Sequence, residues 1–120
     1  IKEKEVRYEA IQLDDDTDIM IVAFGSAARI AEKAIEIARE QGIKAGLFRP
    51  ITLWPFPEKE IAQAVHGKRG VLVVEINAGQ MIEDVRLAVN GEVTVEHFGR
   101  LGGIVPEPEE IVNAIKEKLL

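Results

Sequence analysis

Asp18-Ile19-Met20-Ile21-Val22-Ala23-Phe24-Gly25-Ser26 is the stretch whose reading decides the fold. Six consecutive apolar residues, rich in β-branched Ile and Val, stop abruptly at Gly25-Ser26. A run this short, with no polar alternation, predicts a strand buried on both faces, and such strands belong to parallel sheets. Ser26 is placed to be the N-cap of a helix, its side-chain oxygen accepting from a free backbone N–H of the first turn. Ala27, Ile30, Ala31, Ala34, Ile35 and Ala38 then recur at helical spacing as one apolar stripe. Glu32, Lys33, Glu36, Arg39 and Glu40 lie largely opposite, and Gly42 suits the C′ position.

The rest of the chain repeats this strand-turn-helix unit. Upstream, residues 1–17 read as a charged lead-in belonging to the same domain. Val6, Tyr8, Ala10 and Gln12 alternate imperfectly with their neighbours, which predicts an edge strand antiparallel to the others. Asp14-Asp15-Asp16 is either a solvated turn or a linker from a preceding domain. Downstream, Lys44 to Arg49 predicts a second core strand. Pro50-Ile51-Thr52-Leu53-Trp54-Pro55-Phe56-Pro57 follows, with three prolines that prevent regular helix or central strand. Its Ile, Leu, Trp and Phe are too apolar for a free loop, so a rigid connection pinned against something is expected. Pro57 fits the first position of the next helix, with Ile61, Ala64 and Val65 inward and Gly67 as its stop. Val71 to Val74 predicts a third core strand, and a helix from Gln80 to Val89 turns Met81, Val85, Ala88 and Val89 inward. Val93 to Phe98 predicts a fourth core strand. A last helix carries Ile111, Val112, Ile115 and Leu119, with Lys116 and Lys118 at the end the helix dipole prefers. The expectation is a three-layer α/β/α domain over residues 18–120, with a mostly parallel open sheet and one antiparallel edge strand.

Bulk properties narrow the function. At 120 residues with 47% hydrophobic content, the chain is one domain able to bury a real core. A net charge of −6, with no basic cluster beyond Lys68-Arg69, argues against nucleic acid. The absence of cysteine excludes disulfides, thiol catalysis and cysteine ligation of Fe–S clusters within this chain. Two isolated histidines make a zinc site unpromising. No apolar stretch approaches the about 18 residues that span a bilayer, so no membrane role and a cytoplasmic setting are expected. The first residue is Ile1, which suggests a fragment of a longer subunit.

Ligands of open α/β sheets sit beyond the carboxyl ends of the strands. Here those ends are Gly25-Ser26, Arg49-Pro50, Glu75-Ile76-Asn77 and Phe98-Gly99-Arg100. Gly25-Ser26-Ala27-Ala28 is a helix cap or an anion cradle, but it lacks the spaced glycines of a dinucleotide fingerprint and the Lys of a Walker loop. Glu75, Asn77 and Gln80 either face a site or cap the following helix and close its turn. Gly99-Arg100-Leu101-Gly102-Gly103 either grips an anion through Arg100 or simply turns sharply. His97 reads as a strand residue with a satisfied hydrogen bond, and His66 as a solvated helix end. Gly25-Ser26 and Glu75-Ile76-Asn77 stand where a response-regulator receiver needs its acidic pair and its phosphorylatable Asp, which rules that class out. No catalytic, cofactor-binding or metal-binding residue is assigned.

Three motifs in order carry a resemblance. Arg49 to Pro57, Val74-Glu75-Ile76-Asn77-Ala78-Gly79-Gln80-Met81, and Gly99 to Gly103 resemble the α subunit of 2-oxoacid:ferredoxin oxidoreductases. The match is to its second domain, which is similar to the C-terminal domain of transketolase, and it runs from about Val6 to the C-terminus. The Gln80 to Arg86 run looks more like the branched-chain (2-ketoisovalerate) members than the 2-oxoglutarate members. The resemblance implies an oligomeric enzyme that decarboxylates a 2-oxoacid with thiamine diphosphate and Mg²⁺. It would pass electrons through Fe–S clusters to ferredoxin and make an acyl-CoA. It also implies that those cofactors are held by other domains and subunits, while this domain shapes subunit contacts and the wall near the active site. Ser26, Arg49, Trp54, Phe56, Glu75, Asn77, Gln80 and Arg100 are then the candidates for interface or wall. The alternatives are a free-standing flavodoxin-like module binding flavin or nucleotide, and a C-terminal assembly domain of another transketolase-like enzyme.

Overall fold

The structure, a computed structural model, describes residues 8–14, 16–51, 57–75, 80–99 and 106–120, with Gln80 described in its backbone only. Along these residues the order is β1 (Tyr8–Ile11), β2 (Ile19–Ala23), α1 (Ser26–Glu40), β3 (Ala45–Pro50), α2 (Glu58–Ala64), β4 (Gly70–Glu75), α3 (Gln80–Val89), β5 (Thr94–Gly99) and α4 (Pro108–Leu119). The sheet runs β1-β3-β2-β4-β5. β2, β3, β4 and β5 are parallel, and β1 joins β3 antiparallel. The expected mixed sheet and its antiparallel edge strand are both present.

All five residues of β2 are buried, and alternation divides them between two cores. Ile19, Ile21 and Ala23 meet Ala31, Ile35, Ile111 and Ile115 of α1 and α4. Met20 and Val22 meet Ile61, Val65, Met81 and Val85 from the α2 and α3 side. Each large apolar side chain so buried contributes about 1.5–3 kcal/mol. The exposed Arg49–Glu9 pair between β3 and β1, at 2.8 Å, is worth roughly 0–1 kcal/mol, so the two cores and not surface charge hold the fold.

Local chemistry sets the helix ends. α1 closes as expected at Gly42, whose φ is 84°. Its N–H reaches Arg39 O (3.1 Å) and the Ile43 N–H reaches Ala38 O (2.9 Å), the paired bonds of a Schellman motif. α4 opens with a capping box in which Glu107 and Glu110 each serve the other's backbone N–H. Three expectations shift. Pro57 is the N-cap of α2 rather than its first helical residue, because helical φ/ψ begin only at Glu58. Phe24 falls outside β2 and is exposed, since the ladder to β4 ends at the Ala23–Val74 pair. β5 is an edge strand that is only half buried, not a core strand, because β4 alone pairs with it among the described residues.

A polar knot closes the amino edge of the sheet. Gln12, at φ 59°, presents its carbonyl to Thr17 Oγ1 (2.5 Å) and Arg39 Nη2 (3.0 Å). Arg39 Nε also donates to Ala45 O (2.9 Å), which ties the end of α1 to the start of β3. Gly46 lets the Gln12 backbone come close: a Cβ there would run into the Gln12 carbonyl oxygen and would lie 2.9 Å from Leu13 Cδ2. Backbone cannot swing aside as a side-chain tip can. Gly46→Ala is therefore expected to cost about 1–3 kcal/mol in chemical denaturation; an unchanged midpoint would contradict this close approach.

Candidate functional site

The strand order reverses between β2 and β4, so the crevice where such sheets bind ligands lies at Gly25-Ser26 and Glu75. The β2 side is built by Gly25, whose φ of 65° and ψ of −136° turn the chain into α1. Gly25 takes the N-cap place, and Ser26 is the first helical residue and exposed. The expected Ser26 cap is thus corrected: among the described residues no side chain caps α1, and its first turn carries no acidic residue. A serine already in helical φ/ψ no longer stands where its oxygen can reach the N2 or N3 amide.

The β4 side is closed by the protein itself. Glu75, with its side chain 10% exposed, accepts from the Met81 N–H at 2.8 Å through Oε1 and from the Ile82 N–H at 3.2 Å through Oε2. These are free amides of the first turn of α3, which otherwise have no helical acceptor. A carboxylate there also meets the positive end of the helix dipole. Of the two readings of Glu75, helix capping is the one the geometry carries. His97 Nε2 lies 3.3 Å from Glu75 Oε2, yet it is buried and makes no hydrogen bond. The expectation of a satisfied His97 is corrected at that nitrogen: distance permits the pair, and the ring orientation does not complete it. His66 is exposed as expected, and its Nδ1 pairs with Glu92 at 2.6 Å.

The other expected residues do not converge here. Arg49 turns to Glu9 of β1, its register partner. Trp54, Phe56, Asn77 and Arg100 lie outside the described residues, and Gln80 is placed only as the start of α3. Sequence reading singled out Ile51 but missed that Tyr8 and Phe24 are exposed beside it. Tyr8 (43% exposed), Phe24 (41%) and Ile51 (44%) sit at the neighbouring ends of β1, β2 and β3. Tyr8 is anchored by stacking on Phe48, with ring centroids 4.7 Å apart. The usable signal was that Phe24 and Ile51 stand one residue past their strands.

The donor set does not fit thiamine diphosphate with Mg²⁺ or an Fe–S cluster. Cysteine is absent from the sequence, and no three of His, Asp and Glu among the described residues group as metal ligands. The N-terminus of α3, where a phosphate would bind, is filled by Glu75. Among the described residues no helix is long and apolar enough to cross a membrane.

Residues 17–111 match the family described as pyruvate:ferredoxin oxidoreductase core domain II. The chain is 44% identical over 117 residues to the ketoisovalerate oxidoreductase subunit VorB of Methanothermobacter thermautotrophicus, covering 98% of this chain and 33% of that protein. It is 41% identical over 101 residues to the 2-oxoglutarate synthase subunit KorA of Methanothermobacter marburgensis, covering 84% of this chain and 27% of that one. The chain thus spans about a third of the length of these curated relatives. In fold it resembles a 2-oxoglutarate:ferredoxin oxidoreductase from Magnetococcus marinus, with a TM-score of 0.77, 23% identity, and coverage of 95% of this chain and 20% of that one. A split-gene transketolase gives a TM-score of 0.79 at 18% identity, over 94% of this chain and 41% of that one.

Glu75→Ala would leave the Met81 and Ile82 amides without their acceptor. It is expected to cost about 1–2 kcal/mol in chemical denaturation. Glu75→Gln, which keeps one oxygen, is expected to cost less. Equal stability of all three proteins would remove the cap from the account.

Proposed function

We propose a function from one premise: the chain belongs to the pyruvate:ferredoxin oxidoreductase core domain II family. It serves as a non-catalytic domain of the α subunit of a 2-oxoacid:ferredoxin oxidoreductase. The domain is residues 18–120 with the lead-in 1–17, one part of a subunit about three times as long, in line with the 33% coverage of its relative. The whole enzyme converts a 2-oxoacid to an acyl-CoA and reduces ferredoxin, in an oligomer located in the cytoplasm. Thiamine diphosphate, Mg²⁺ and Fe–S clusters are held by its other domains and subunits. The 2-ketoisovalerate type is favoured over the 2-oxoglutarate type by the 44% and 41% identities and by the Gln80 to Arg86 run.

The observation that carries the domain's role is the composition of the carboxyl edge. Its polar opening at α3 is filled from within, and Tyr8, Phe24 and Ile51 are exposed large apolar side chains beside the Arg49–Glu9 pair. Such an edge suits a neighbouring protein surface better than a small polar substrate. Ser26, Arg49, Trp54, Phe56, Asn77, Gln80 and Arg100 remain assigned to interface or active-site wall, with Glu75 as the cap that shapes it. This reading is favoured over a flavodoxin-like module and over another transketolase-like enzyme by the family match and by the likeness to a ketoisovalerate oxidoreductase subunit.

Amide exchange compared between the isolated chain and the full α subunit tests the role. Residues 50–57 are expected to exchange more slowly in the subunit. Equal protection in the two would count against a docked edge. A separate assay addresses the substrate: the reconstituted enzyme is expected to reduce ferredoxin with 2-ketoisovalerate at a kcat/KM roughly tenfold or more above that with 2-oxoglutarate. The reverse preference would overturn the assignment of type.

A further inference from the structure

We propose that His97 donates a hydrogen bond from Nε2 to Glu75, a latch that fastens the edge strand β5 to the start of α3. The inference does not rest on the functional reading above. His97 Nε2 is shielded from water and lies 3.3 Å from Glu75 Oε2. A bare Nε2 would sit beside a carboxylate oxygen and recover no hydration, which is costly for a buried polar atom. A proton on Nε2, with the ring turned to align it, makes the same contact a charge-assisted hydrogen bond. Glu75 then has three donors: the Met81 and Ile82 amides and the imidazole.

The backbone makes room for this arrangement. Gly99 stands opposite Glu75 in the β4–β5 ladder. A Cβ at position 99 would lie 2.6 Å from His97 Cε1 and 3.1 Å from Nε2, so glycine leaves the ring its place. Lys118 Nζ donates to His97 O at 2.7 Å, which holds the same residue's backbone to α4. Glu75 and Gly99 immediately precede residues 76–79 and 100–105, which contain Asn77 and Arg100. The latch thus joins the roots of the two segments that follow β4 and β5 at the carboxyl edge.

The test is made on the 120-residue chain. Long-range ¹H–¹⁵N imidazole NMR is expected to find the His97 proton on Nε2; a proton on Nδ1 with a bare Nε2 would overturn the proposal. Gly99→Ala crowds the imidazole and comes within 3.2 Å of the Glu75 carbonyl oxygen, and it removes neither polar group. His97→Phe keeps a ring and loses the donor. Both are expected to speed amide exchange of Met81 and Ile82 by ~5-fold or more, while His97→Gln, which retains an N–H, stays within about twofold of the parent. Unchanged exchange in Gly99→Ala and His97→Phe, or His97→Gln as fast as His97→Phe, would sink the latch.

Discussion

A strand with apolar side chains on both faces can leave neither face in water, and β2 is such a strand. Its backbone N–H and C=O groups need neighbours on both edges, which β3 and β4 supply. Parallel neighbours cannot be joined by tight hairpins, so the chain must cross over through helices. The crossover β2-α1-β3 sets α1 on one face, and the return through α2 to β4 sets α2 on the other. The two cores, the reversal of strand order and the crevice at that reversal all descend from keeping Ile19–Ala23 dry.

That crevice is where the family membership and the chemistry meet. In many sheets of this kind the reversal point holds a phosphate on a helix N-terminus. Here Glu75 provides the negative charge for α3 from within the chain, so that helix end is satisfied before any ligand arrives. Along the same sheet edge Tyr8, Phe24 and Ile51 are exposed. A self-capped crevice and exposed apolar side chains near it support the proposed role of this domain as an interface. The chain lacks cysteine and belongs to the pyruvate:ferredoxin oxidoreductase core domain II family.

Short-range pattern made much of this legible. The unbroken apolar run of β2, the alanine-rich stripe of α1 and Gly42 after its last turn each depend on residues within a few positions, and each stands as read. The misreadings came from contacts that spacing does not encode. Ser26 reads as an N-cap only while Gly25 is taken for a passive turn, yet glycine's freedom at φ 65° moved the cap one place back. β5 reads as a core strand because Val93, Val95 and Phe98 are apolar, but its burial depends on what lies beyond it in the sheet. His97 and Glu75 are 22 positions apart in the chain and meet only because parallel register sets Val73 beside His97 and Glu75 beside Gly99. The same holds for Arg39 and Gln12, joined across the amino edge.

The central claim is that the carboxyl edge of this sheet is an interface within a larger oxidoreductase. Hydroxyl-radical footprinting read by mass spectrometry addresses it side chain by side chain, in the isolated chain and in the assembled enzyme. Tyr8, Phe24 and Ile51 are expected to lose most of their labelling on assembly, relative to their own labelling in the isolated chain. Equal labelling of all three in both states would contradict the account.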